Sequence, residues 1–278
     1  MKVLKVMGAT ILTFCLTIVL FVGLFVIAIN VGFGPDKIEQ TLRDNSEFIN
    51  DIINEEQFYS VEEFYLFDDA VGEIINLDEV NELFIKLTVG IFDYLLFDAE
   101  LPQITNDEFE ALIREEAIAH FDEIELEQWA EKVNQSVEEI NIALVDVIYV
   151  NDVLNNEAEQ IRIIFNPETR TAIFGLALVI SLLIALVLFS LYRPLAWVGS
   201  AAIIAGGLSF LIGITSIGRF SDEMPIVRSL IDNVLIESRN IGLISIGIGI
   251  LLIIVYFVLK NRFIQNKELD KQLDESFN

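Results

Sequence analysis

Residues 171–218 read TAIFGLALVISLLIALVLFSLYRPLAWVGSAAIIAGGLSFLIGITSIG, two long apolar runs on either side of Arg193 and Pro194. Neither run contains Asp, Glu, Lys or Arg. An α-helix needs about 20 apolar residues, each rising about 1.5 Å, to cross the hydrocarbon core of a bilayer. The stretch therefore predicts two membrane-spanning helices, 171–192 and 195–218, joined as a tight hairpin.

Two further uncharged runs, 6–33 and 241–259, lie on either side of this hairpin along the chain. They explain how a chain that is 22% charged can also be 54% hydrophobic. The predicted fold class is an all-α membrane protein with four transmembrane helices. The first run is longer than the apolar core of about 7–15 residues in a signal peptide, and no convincing cleavage site follows it, so we expect an uncleaved anchor.

The basic residues beside the apolar runs predict the orientation, because cytoplasmic loops are enriched in Lys and Arg. If the helices alternate in direction, six of these basic residues lie on the same side of the membrane: Lys2, Lys5, Arg193, Lys260, Arg262 and Lys267. We therefore expect cytoplasmic segments at 1–5 and 260–278. Segments 34–170 and 219–240 are then extracytoplasmic, and the basic residues of the second are offset by its acids. The protein is predicted to be a multi-pass protein of the plasma membrane.

The negative charge is concentrated in one segment. The whole chain has a formal net charge of −26, and residues 33–170 alone hold 35 acidic and 7 basic residues, which gives −28. Such a surface repels nucleic acid and anionic lipid headgroups, so neither is expected to bind the predicted outer domain. A basic partner, divalent cations or simple solvation all remain compatible with it.

The acidic segment is predicted to be helical almost throughout. Helix starts are indicated by capping boxes or close relatives, and a loop is indicated by Pro102. The pairs are Ser60 with Glu63, Asn76 with Glu79, and Thr105 with Glu108. Asn166 followed by Pro167 predicts the cap and first turn of the second membrane helix. No sustained apolar–polar alternation indicates a strand.

One helix of the acidic segment has an apolar repeat of seven residues. Its members are Leu126, Ala130, Val133, Val137, Ile140, Leu144 and Val147. The repeat is compatible with a coiled coil to a partner or a second copy, but also with a core-facing helix of a small bundle. We favour the bundle, because other predicted helices in the segment also have apolar stripes to bury.

The only histidine, His120, lies in the segment REEAIAHFDEIELEQW (114–129) beside six carboxylates. Glu116 shares its helix face, but a zinc or manganese site needs three or four converging ligands. The sequence offers no second histidine and no HExxH motif. A histidine at a helix C-terminus is favoured by the helix dipole, so we interpret His120 as a surface residue. We assign no catalytic, cofactor-binding or metal-binding residue and expect no cofactor.

The predicted membrane helices contain no ionisable side chain in their interiors apart from Cys15, the only cysteine. Transporters and proton relays usually place one there. Small residues recur every four positions and let helices approach closely. They are Ala177, Ser181 and Ala185, then Ala201, Ala205, Ser209 and Gly213, then Ser245 and Gly249. A compact bundle explains them, and a groove for a lipid or a partner helix is the alternative.

Two stretches resemble a group of uncharacterised bacterial integral membrane proteins. They are LRDNSEFINDIINEEQFYSVEEFY (42–65) and IDNVLIESRNIGLISIGIGILLIIVYFVLKNR (231–262). The resemblance implies one N-terminal anchor, an acidic helical extracytoplasmic domain and a C-terminal group of membrane helices. It implies no activity and no site residue.

Three hypotheses of function follow. The first is a non-enzymatic protein whose extracytoplasmic domain binds a partner or senses the state of the envelope, as an accessory or regulatory subunit. Its expected partners are membrane lipid and another membrane or envelope protein, and assembly with copies of itself is left open. The second is a pore or a transport-related subunit. The third is a metal-dependent envelope enzyme built on His120.

Overall fold

A computed structural model describes residues 2–45, 77–113, 115–118, 123–149, 152–189, 192–215 and 225–276. Within these residues the chain forms ten helices and no strand. Their bounds are α1 Lys2–Gly32, α2 Pro35–Asp44, α3 Leu77–Phe97, α4 Asn106–Ala111, α5 Glu115–Ile118, α6 Glu123–Tyr149, α7 Asp152–Phe165, α8 Pro167–Leu188, α9 Arg193–Ile214 and α10 Pro225–Ser276. The helical fold expected from the sequence is confirmed.

Four of these helices, α1, α8, α9 and α10, are long and apolar enough to cross a membrane. The chain divides into two compact units. The membrane unit comprises Met1–Phe33, Asn166–Arg219 and Ile231–Asn278. The acidic unit comprises Gly34–Phe165 and Phe220–Leu230.

Helix α8 begins earlier than the apolar run that predicted it. Asn166 caps it by accepting a hydrogen bond from the Glu168 backbone N–H at 2.8 Å, and Pro167 occupies the first turn. The predicted cap is therefore confirmed, and the span is Pro167–Leu188 rather than 171–192. The helix ends at Phe189, whose φ of 44° lies in the left-handed region. Cap chemistry, not hydropathy, decides where the backbone stops being helical.

Helix α10 is longer than the span predicted within it. The sequence suggested three pieces, 219–240, 241–259 and 260–278, but Pro225–Ser276 is a single helix of 52 residues. At about 1.5 Å per residue it is about 78 Å long. The change from apolar to charged residues ends the membrane-compatible segment. It does not end the helix, because backbone hydrogen bonds continue through polar positions without a proline or a cap to stop them.

The core of the membrane unit is built where α1 packs against α8 and α9. Five buried side chains form it: Leu16, Ala177, Ile180, Ile184 and Ala201. Thr13 and Thr17 are buried nearby, but their hydroxyls donate to carbonyls one turn back in α1, at 2.8 and 2.9 Å. Each hydroxyl therefore has its hydrogen-bond partner within its own helix.

The acidic unit has its own apolar core. Ile104 and Phe109 pack against Val133 and Val137 of α6, and Leu83, Leu87, Leu112, Trp129 and Ile140 surround them. The middle of the predicted seven-residue repeat therefore faces this core, as a bundle helix does. Near the N-terminal end of α3, Arg43 of α2 pairs with both Glu39 and Glu82. The hydrogen bond from Arg43 lowers the pKa of the Glu82 carboxyl.

Candidate functional site

Helices α9 and α10 are joined by a seam of glycines at backbone contact. Gly199 and Gly206 of α9 lie seven residues apart, as do Gly242 and Gly249 of α10. A Cβ added at Gly199 would lie 2.7 Å from the Gly249 carbonyl oxygen, and one at Gly206 would lie 2.6 Å from that of Gly242. Because the numbers run in opposite directions, the helices are antiparallel.

Serine hydroxyls tie the same seam together. Ser238 donates to the Ser209 carbonyl at 2.9 Å, and the two hydroxyls lie 3.1 Å apart. Ser245 donates to the Ala202 carbonyl at 3.0 Å. All three serines are buried. Such bonds across helices are favourable in a membrane, where no water competes for the polar groups.

The sequence signal for this seam is a period of seven residues, which differs from the predicted period of four. The expected four-residue ladders are partly correct, since Ala201, Ala205 and Ser209 are buried. Spacings of seven at Gly199, Gly206 and Gly213 are the sharper pattern. A period of 3.5 residues per turn keeps one stripe on the partner helix and gives a left-handed crossing.

Other glycines of the membrane helices, one in each of α8, α9 and α10, have a different environment. Added Cβ atoms at Gly175, Gly207 and Gly247 would meet nothing within 4 Å. Gly206 and Gly207 are thus neighbours in sequence with opposite tolerance for a side chain. Gly207 therefore serves as a control position for substitutions at Gly206.

In the acidic unit, the loop from Asp98 to Thr105 is clamped to α6. The Asn141 side chain makes two bonds with the backbone of Ile104, accepting from its N–H at 2.8 Å and donating to its carbonyl at 2.9 Å. Gly90 packs on Pro102, since an added Cβ would lie 2.6 Å from the proline ring. The loop is therefore attached to both α3 and α6.

The helix that follows this loop starts at the predicted capping box. Thr105 and Glu108 cap α4 reciprocally, which confirms that prediction. Lys86 of α3 pairs with Glu108. Hydrogen bonds from Lys86 and from the Thr105 backbone N–H lower the pKa of the Glu108 carboxyl.

A hollow of about 300 Å³ opens beside the clamp. Gln103, Glu138, Asn141, Ile142 and Val145 line it. Ile142 is 52% exposed and Val145 is 39% exposed, although both are apolar. The hollow thus combines an apolar floor with the amide groups of Gln103 and Asn141 and one carboxylate, which suits a surface that contacts another molecule.

Arg162 of α7 closes the C-terminal end of α3. Its guanidinium donates to the carbonyls of Tyr94 at 2.6 Å and Leu95 at 3.1 Å, and it pairs with Asp98 at 2.7 Å. It also lies 5.2 Å from the centre of the Tyr94 ring. A positive charge is favoured at this end of a helix, where carbonyls lack partners within the helix.

Asp93, one turn before this helix end, is predicted to destabilise the unit at neutral pH. Its Oδ1 atom is buried and has no hydrogen-bond partner among the described residues, and burial raises the pKa of the carboxyl. A raised folded-state pKa means that the charged form opposes folding above that pKa and that the penalty disappears in acid. Asp93→Asn should therefore raise the thermal unfolding temperature at neutral pH, with a gain that shrinks as the pH falls.

The control for this prediction is Glu131→Gln, which removes an exposed carboxylate from α6. It should change stability little at any pH. A gain for Asp93→Asn that stays constant down to acidic pH would show that burial of the charge is not its cause.

His120 lies outside the described residues, and so do Ser60, Glu63 and Asn76. In the described part of the chain, no three His, Cys, Asp or Glu side chains form a group that could hold a metal ion. The hypothesis of a metal site at His120 stays a prediction.

No protein-family model, no curated protein and no solved structure matches this chain.

Proposed function

We propose that the protein is a non-enzymatic, multi-pass protein of the plasma membrane, with its acidic unit outside the cytoplasm. The acidic unit binds a partner in the envelope and passes changes in that contact to the membrane helices. The protein then acts as an accessory or regulatory subunit.

The observation that carries this proposal is the shortness of two of the junctions between helices of the two units. Only Phe33 and Gly34 separate α1 from α2, and only Asn166 separates α7 from α8. Capping and the following proline fix the second junction. Linkers of one or two residues absorb little motion, so a rearrangement of α2 or α7 is felt by the membrane helix attached to it.

The contact surface that we propose is the hollow beside the Asn141 clamp. Its exposed Ile142 and Val145 supply apolar area, and Glu138 adds to the acidic surroundings. A partner with an apolar side chain ringed by basic residues would match both features.

Complementation of a deletion strain tests the proposal. A version lacking residues 36–165 should fail to restore the phenotype, and full restoration would contradict any role for the acidic unit. A second version carries a flexible Gly-Ser insert between Phe33 and Gly34 and another between Phe165 and Asn166. It should still bind the partner but lose function, because binding needs the acidic unit and transmission needs the short junctions.

The alternative function, a pore, is disfavoured between α9 and α10. Backbone contact at Gly199–Gly249 and Gly206–Gly242 leaves no room for water between α9 and α10. A pore would have to run elsewhere in an assembly. Ion flux in proteoliposomes that contain only the purified protein would favour it.

A further inference from the structure

We propose that one end of the membrane unit is a binding surface for anionic phospholipid headgroups. The surface, here called the basic end, consists of the N-terminal turns of α1, the α8–α9 turn and the α10 turns around Tyr256. Its partner is the phosphate of a lipid such as phosphatidylglycerol.

Aromatic contacts bring the parts of the basic end together. The Tyr192 ring lies 6.0 Å from that of Tyr256 and 5.4 Å from that of Phe263. The Lys5 ammonium lies 4.6 Å from the centre of the Phe189 ring. The hairpin turn is therefore next to both α1 and α10 at this level. Aromatic side chains of this kind favour the level of lipid headgroups.

The charged side chains of the basic end itself are all cations, and the first acid beyond it along α10 is Glu268. Lys5, Arg193 and Arg262 are exposed, and Lys260 is half-buried with its ammonium 5.8 Å from the centre of the Tyr256 ring. The sequence has no Asp or Glu in residues 1–35, 169–221 or 238–267. These ranges include all three segments that form the basic end. A phosphate placed among these cations meets no nearby carboxylate from those segments.

The opposite end of the apolar segment differs in charge. Arg239 is separated from Lys260 by 21 positions in one helix, which corresponds to about 30 Å, one hydrocarbon thickness. Glu237 is two positions from Arg239 along α10, and Glu168 is two positions from Arg170 at the start of α8. Cations there are balanced by acids, so a preference for anionic lipid is expected only at the basic end.

Fluorescence quenching by brominated lipids tests the inference on the full-length protein. The chain has two tryptophans, Trp129 and Trp197, and Trp129→Phe leaves the one that lies in the first turns of α9. The protein is placed in bilayers of phosphatidylcholine with phosphatidylglycerol, of the same composition in both leaflets. Bromine is carried by one lipid or the other at equal mole fraction.

We expect stronger quenching of Trp197 by the brominated anionic lipid, and a weaker difference at high salt because screening reduces the attraction. The variant Lys5→Gln/Lys260→Gln/Arg262→Gln should lose the preference, by about fivefold in relative affinity for each charge removed. The matched control Arg170→Gln/Arg239→Gln should keep it.

Equal quenching by the two lipids in the protein with an unsubstituted basic end would overturn the inference. A preference for the anionic lipid that survives the triple substitution would also overturn it. Each single substitution is measured too, so that a poorly folded triple variant does not decide the result. Either outcome is independent of the partner proposed for the acidic unit.

Discussion

Gly206→Leu should abolish the close approach of α9 and α10 and lower the stability of the protein by about 3 kcal/mol. The added Cβ alone would lie 2.6 Å from the Gly242 carbonyl oxygen, 2.9 Å from the Ser245 Cβ and 3.0 Å from the Ile246 nitrogen. Two of these are backbone atoms, which cannot rotate away. Separation of the helices would also weaken the bonds of Ser238 and Ser245 across the seam.

Thermal unfolding in detergent measures this effect, with Gly207→Leu as the matched control. The control puts the same side chain one position along the same helix, where nothing lies within 4 Å of the added Cβ. It should raise the stability by less than about 1 kcal/mol, because leucine has a higher helix propensity than glycine. If both variants lose stability equally, α9 tolerates no added bulk at either position. If both are as stable as the unsubstituted protein, the seam is disproved.

Arg162→Met should loosen the C-terminal end of α3 and destabilise the acidic unit by about 2–3 kcal/mol. The substitution keeps much of the apolar stem but removes both bonds to the carbonyls of Tyr94 and Leu95. It also removes the pair with Asp98 and the contact with the Tyr94 ring. Hydrogen–deuterium exchange should accelerate in peptides that cover the end of α3 and the loop after it.

Two further variants separate the causes. Arg162→Lys keeps a positive charge near the helix end but cannot reach several acceptors with one planar group, so it should restore only part of the stability. Lys132→Met removes an exposed charge from α6 and should have little effect. Exchange that stays slow in Arg162→Met would mean that the helix end is held by other contacts.

The features that the sequence predicted well are local ones. Thr105 with Glu108, and Asn166 with Pro167, act within a few residues, so their spacing is sufficient to identify them. Uncharged runs likewise identified the four helices that can span a membrane. The length of α10 does not follow from these runs, because a change from apolar to polar residues ends the membrane-compatible part of a helix without ending the helix itself.

The contacts that define the candidate sites are mostly not local. Arg162 meets carbonyls 67 and 68 residues earlier, and Asn141 meets a backbone 37 residues earlier. Nothing in the spacing of one chain shows such pairs. The glycine seam is the exception, because Gly199, Gly206 and Gly213 repeat every seven residues and so carry a signal that spacing alone could have shown.

The side of the membrane on which the acidic unit lies is tested most directly by cysteine labelling of intact cells. Cys15 is the only cysteine, so Cys15→Ala gives a background without thiols, to which Glu138→Cys or Arg262→Cys is added. Both positions are exposed on their helices. We expect a membrane-impermeant maleimide to label Glu138→Cys on intact cells and Arg262→Cys only after the cells are opened. The reverse pattern would place the acidic unit in the cytoplasm and contradict an envelope partner.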